Sequence, residues 1–170
     1  MRLALLLTAT IACSTNGKRE DSAAPMPPPT HTSTTTPSAD AGPYVGPKVV
    51  LTTPKGDTEV KVEVVATEAK IQKGLMYRRH LPLDAGMLFL MGTEKEWPFW
   101  MRNTLIPLDM LFIGSDMRVV GIVENAEPLT ESLRTVGKPS LYVLEVNGGW
   151  SKAHAVAAGA QVRFENVPPR

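Results

Sequence analysis

The chain has 170 residues, with 18 Lys and Arg against 17 Asp and Glu, a net charge of +1 and a single cysteine. One cysteine, at position 13, excludes a disulfide framework, and it leaves the rest of the chain with neither a zinc–thiolate site nor a thiol nucleophile. Charges of both signs are interspersed, without the basic stripe of a nucleic-acid surface, so no nucleic-acid partner is expected.

At the N-terminus Arg2 precedes a short apolar run, Leu3 to Ile11, and Ala12 stands before Cys13. This is the layout of a secretory signal peptide, and the run is far shorter than the ~20 residues that span a bilayer. Thr10-Ile11-Ala12-Cys13 resembles a bacterial lipobox, with Thr10 where Leu is usual, so residues 1–12 are expected to be a lipoprotein signal peptide and Cys13 the lipidated residue. Acyl chains at ~0.8 kcal/mol per buried methylene would make Cys13 a lasting membrane anchor. Ser14 resembles the residue that directs lipoproteins to the outer membrane. The expected location is therefore the cell envelope, on the outer membrane facing the periplasm. Residues 13–47, rich in Pro, Thr, Ser and Ala, lack the apolar content to repay ordering and are expected to form a disordered tether.

Residues 48–170 have the size of one domain with its own core. Val49-Val50-Leu51 suggests a short strand. From Thr58 to Val65 the pattern alternates, with Val60, Val62 and Val64 on one face and Glu59, Lys61 and Glu63 on the other. Thr67 can cap a helix from Glu68 to about Met76. Gly86 to Met91, Phe99 to Asn103 and Leu108 to Ile113 are apolar runs of strand length. Gly114-Ser115-Asp116 suggests a hairpin turn into a strand from Arg118 to Glu124, and Glu124 to Ser140 a long loop. Leu141 to Val146 is a further strand, Asn147-Gly148-Gly149 a turn, Trp150 to Ala158 a short helix and Gln161 to Glu165 a last strand. The expected fold is mainly β with two short helices (α+β), a compact and mostly antiparallel barrel or sandwich.

Polar groups set among apolar residues need partners, because an unpartnered buried one costs roughly 1–3 kcal/mol. Asp109 shares a strand face with Leu111 and Ile113, and Glu145 shares one with Leu141 and Val143. Both acids therefore point into apolar surroundings and require a donor or a raised pKa. Arg102, Asn103 and Thr104 are the nearest candidate partners, and Arg78 and Arg79 the other cations.

The motifs Gly74-Leu75-Met76-Tyr77-Arg78, Gly86-Met87-Leu88-Phe89, Phe99-Trp100-Met101-Arg102-Asn103-Thr104, Pro107-Leu108-Asp109 and Leu144-Glu145 resemble, in order and spacing, the domain of unknown function 192 family, also called uncharacterised protein family 0127. The resemblance runs from about Val60 to Val162. It implies a small, mainly β, often exported domain, with no activity or cofactor to carry over. Where the family has Gly-Asp-x-Val, this chain has Gly159-Ala160-Gln161-Val162, so any role of that Asp is absent.

Three functional readings follow. In the first, Arg78, Trp100, Arg102, Asn103, Thr104, Asp109 and Glu145 line a site for a small polar ligand, a glycan or an envelope partner. In the second, Asp109 and Glu145 form a carboxylate pair for hydrolysis. In the third, the polar residues are a structural network in a scaffolding lipoprotein. Phe99 and Trp100 point to opposite faces by alternation, so at most one of them packs the core, and Trp97 is the ring expected to be exposed. The methionines, including Met76, Met87, Met91, Met101 and Met110, show no Met-x-x-Met spacing and are expected to fill the core. No metal, cofactor or catalytic residue is assigned.

Overall fold

The structure is a computed structural model that describes residues 44–170. The expected signal peptide, Cys13 and all but the last residues of the tether lie outside the described residues. Among the described residues seven strands are formed: β1 (Lys48–Thr53), β2 (Gly56–Val65), β3 (Ala85–Lys95), β4 (Leu108–Ile113), β5 (Val119–Ala126), β6 (Ser140–Asn147) and β7 (Gln161–Glu165). Two short helices join them, α1 (Glu68–Lys73) and α2 (Trp150–Ala153). The strands make one sheet in the order β5-β4-β6-β3-β2-β1-β7. Every pair is antiparallel except β2 and β3, whose parallel pairing needs the crossover that α1 supplies.

The sheet curls until its edge strands touch at one end. Arg118 bridges to Gln161, Val119 N–H donates to Ala160 O at 3.0 Å, and Val162 N–H donates to Met117 O at 2.8 Å. The result is a curled half-barrel of mainly β structure with two small helices, as the strand patterns predict.

Period-two alternation sorts the apolar residues into two clusters, one on each face. Val49, Leu51, Val60, Val62, Leu88, Leu111, Leu144 and Val162 form the first, joined by Trp150 of α2. Met87, Phe89, Met91, Met101, Leu108, Met110, Phe112 and Val143 form the second, covered by Ile71 and Leu75 from around α1. Four of the methionines thus fill the second cluster as flexible apolar side chains.

Three expected elements differ. α1 stops at Lys73, short of Met76, because Gly74 adopts φ +47° and breaks the helix; Thr67 sits at its N-cap but makes no side-chain capping bond. α2 is one turn long and does not reach Ala158. Phe99 to Asn103 is not a strand. Asn103 takes φ +56°, and the segment is strapped instead to the loop after β5: Phe99 and Arg134 form an isolated bridge, and Met101 N–H donates to Thr130 O at 3.0 Å. Apolar length suits a strand here, but the left-handed Asn103 between Pro98 and Pro107 turns the chain.

Candidate functional site

Asp109 and Glu145 occupy opposite faces of the sheet. Asp109 is in register with Val146 and Met110 with Glu145, so Asp109 faces the first cluster and Glu145 the second. A hydrolytic pair sharing one reactive centre is therefore excluded for these two acids. Each needs its own account.

Asp109 is fully buried and fully partnered. Its Oδ1 accepts from Asn125 N–H at 2.7 Å and Gly149 N–H at 2.9 Å, and its Oδ2 accepts from Ser151 N–H at 2.8 Å. Between the pairs Leu108–Ala126 and Met110–Val123, β4 has one residue and β5 has two, a β-bulge that frees the Asn125 N–H. Gly149 and Ser151 belong to the first turn of α2, whose N–H groups have no intrahelical acceptor. One carboxylate thus satisfies a bulge and a helix start, and its negative charge suits the helix N-terminus. Pro107 contributes to the same junction by accepting from Gly148 N–H at 2.9 Å. A side chain on Gly148 would meet Asn125 Oδ1 at 2.6 Å and Pro107 Cβ at 3.0 Å, so the turn requires glycine. Pro107-Leu108-Asp109 is an architectural motif.

Glu145 has no such partner. It is 5 % exposed, yet its carboxyl makes no hydrogen bond and no ion pair among the described residues. It lines a cavity of about 230 Å³ between α1, β3 and the Phe99–Thr104 segment. Burial pushes its carboxyl up to about 8, so it is largely protonated at neutral pH. Around it stand Phe89, Met91, Trp97, Phe99, Trp100 and Thr104, with Gln72, Gly74 and Met76 on the α1 side. The Thr104 side chain is buried, and its hydroxyl makes no hydrogen bond among the described residues. The cavity is smaller than the roughly 300–1,000 Å³ of sites for drug-sized ligands, which restricts it to small molecules.

Phe99 fixes this wall by stacking edge-on with Phe89 at 5.4 Å and Phe112 at 5.8 Å between ring centroids. Burying such a ring contributes roughly 1.5–3 kcal/mol, enough to hold the strapped segment in place. Trp100, on the other face of the segment, is 43 % exposed, matching the expectation that only one of the two packs the core. Trp97 is half-buried, with its indole N–H donating to Thr93 O at 3.1 Å, and so is more enclosed than the sequence suggests.

The remaining predicted residues do not converge on either acid. Arg78 forms a bidentate pair with Glu63 on β2, which holds that carboxyl below its ordinary range. This pair lines a neighbouring open cavity of about 360 Å³, not the Glu145 cavity. Arg102 is exposed and 3.8 Å from Glu131. Asn103 works through its backbone, accepting from Tyr77 N–H at 2.8 Å, with its amide 3.9 Å from Met76 Sδ. Of the seven proposed binding residues, Trp100, Thr104 and Glu145 share the cavity. Phe89, Gly74 and Met76 also line it, outside the expected set. Their signal was the Gly74-Leu75-Met76 and Met87-Leu88-Phe89 motifs, since an added Cβ at Gly74 would lie 3.4 Å from Phe89 and 3.8 Å from Glu145 Oε2.

The fold and site define a small curled β domain with an acid-floored aromatic cavity. Residues 49–164 match the model of the domain of unknown function 192 family, described as "Uncharacterized ACR, COG1430", and the chain belongs to that family. Two solved structures are similar. A protein of unknown function from Novosphingobium aromaticivorans is 38% identical with a TM-score of 0.67, covering 73% of this chain and 94% of its own. A protein from Sinorhizobium meliloti, whose description proposes transcription regulation, is 36% identical with a TM-score of 0.68, covering 75% of this chain and all of its own. No curated protein matches the chain.

Proposed function

We propose that this protein is an exported, lipid-anchored envelope protein whose β-rich domain binds a small polar ligand in the Glu145 cavity. One observation carries the binding reading: a buried carboxyl without a partner among the described residues stands at the wall of an aromatic-lined cavity. An unpaired buried acid costs stability, and a ligand that satisfies it recovers that cost. The export reading rests on Arg2, the apolar run from Leu3 to Ile11 and the Ala12-Cys13 junction. The regulatory role suggested for the Sinorhizobium relative has no counterpart in the balanced, interspersed charges of this chain.

Thermal unfolding against sugars, amino acids, peptidoglycan fragments and metal ions tests the binding reading. A true ligand at one hundred times its Kd stabilises by about 2.7 kcal/mol, a shift of several degrees in Tm. Thr104→Val should shrink that shift, and silence from every class would contradict a small-molecule site. For the anchor, Cys13→Ser should move the protein from the membrane to the soluble fraction, and retention on membranes would contradict lipidation.

A further inference from the structure

We propose that the ligand is a small organic cation, its ammonium group seated between the Glu145 carboxyl and the aromatic rings of the cavity wall. This rests on the ligand-binding reading above and narrows it to one chemical class. Three features point the same way. Glu145 is the one acid enclosed in the cavity, and it has no counter-charge among the described residues. The rings of Phe89, Trp97, Phe99 and Trp100 line the same cavity, and the faces of aromatic rings attract cations. Trp97 already holds one ammonium this way, with Lys95 Nζ 4.0 Å from its ring centroid. An anion would meet the carboxyl with no enclosed cation among the described residues to receive it.

Binding of this kind releases a proton. In the free protein burial keeps Glu145 protonated at neutral pH. An entering cation supplies the missing counter-charge, the carboxyl ionises, and its proton passes to solvent. The other charged groups lining the cavity are Glu68 and Lys73 of α1, both exposed at its rim. β3, β4 and the Phe99–Thr104 segment place apolar or uncharged residues there: Met87 and Met110 flank Glu145 in register, and Trp97, Trp100 and Thr104 line the wall. Glu145 is thus the enclosed group whose protonation follows occupancy.

The test uses the full-length protein, with the fluorescence of Trp97 and Trp100 as readout and four probes: choline, ethanolamine, the neutral choline isostere 3,3-dimethylbutan-1-ol, and acetate. Choline keeps its charge at every pH used. It should bind tenfold or more tighter than its neutral isostere, and tighten by an order of magnitude or more between pH 6 and pH 8. Ethanolamine in place of choline distinguishes a primary from a quaternary ammonium site. Glu145→Gln should weaken the cation at least tenfold and leave the neutral isostere unchanged. Trp100→Ala, at the rim, should weaken choline without removing its pH dependence. Equal binding of choline and its isostere, without pH dependence, would overturn the cation assignment and leave the ligand reading standing. Silence from all four probes would also overturn it, and the ligand reading would then fall only if the wider thermal panel were silent too.

Discussion

Replacing Glu145 by glutamine should stabilise the protein by about 5 kcal/mol at pH 8 and above, and change it little near pH 4.5. The unfolded chain releases this proton at the ordinary value of 4.5, and the folded chain releases it at about 8. Between those values the folded state binds more protons than the unfolded, so stability falls as pH rises, by up to about 1.4 kcal/mol per pH unit, and levels off above 8. Glutamine resembles the neutral acid in shape and cannot ionise, so the slope should vanish. Urea midpoints of the two proteins across this range read the effect directly. Parallel curves would show that Glu145 is already paired or solvated. A loss of this size is a large part of the 5–15 kcal/mol that stabilises most domains. A cationic ligand would therefore stabilise the domain most at alkaline pH.

Asp109→Ala should cost about 3 kcal/mol or more. It strips the acceptor from three backbone N–H groups at once, those of Asn125, Gly149 and Ser151. A donor left without a partner costs roughly 1–3 kcal/mol where water cannot reach it. Asp109→Asn should fall between the alanine variant and the parent, because its amide oxygen can still accept from Asn125 and Gly149 N–H while its amide nitrogen cannot accept from Ser151 N–H. Urea unfolding measures the loss, and faster amide exchange at Asn125 and Ser151 would localise it. Choline affinity should persist in any Asp109 variant that remains folded, since this acid faces away from the cavity. Stability within about 1 kcal/mol of the parent would contradict the architectural role.

The contrast between these acids marks the boundary of what the sequence discloses. Alternation from Thr58 to Val65 marks β2, and the same rule places Asp109 with Leu111 and Glu145 with Val143 on their own strands. Both acids are legible as buried. Their relation is not, because it depends on the register that sets Asp109 against Val146, and a slip of one residue would put the two on one face. Register between strands some 35 positions apart in the chain is a tertiary property. Arg78 is a similar case. Its partner Glu63 sits on a strand whose parallel pairing with β3 depends on the crossover, so the nearest buried acid was the wrong guide. Phe99 to Asn103 has strand-like composition, and only the left-handed Asn103 and the bridge to Arg134 reveal a strapped loop. The run from Phe99 to Asp109 thus divides in two: its first half walls a cavity, and its last residues hold a bulge to a helix.

The most direct test of the ligand site is a pH titration of the Glu145 side-chain carboxyl carbon by NMR, without and with saturating choline. The free protein should titrate near 8, and the midpoint should fall by about 1.5 pH units or more when the cation is bound, the shift that an order-of-magnitude tightening between pH 6 and pH 8 requires. An ordinary midpoint near 4.5 in the free protein, unmoved by choline, would contradict both the unpaired acid and its role in binding.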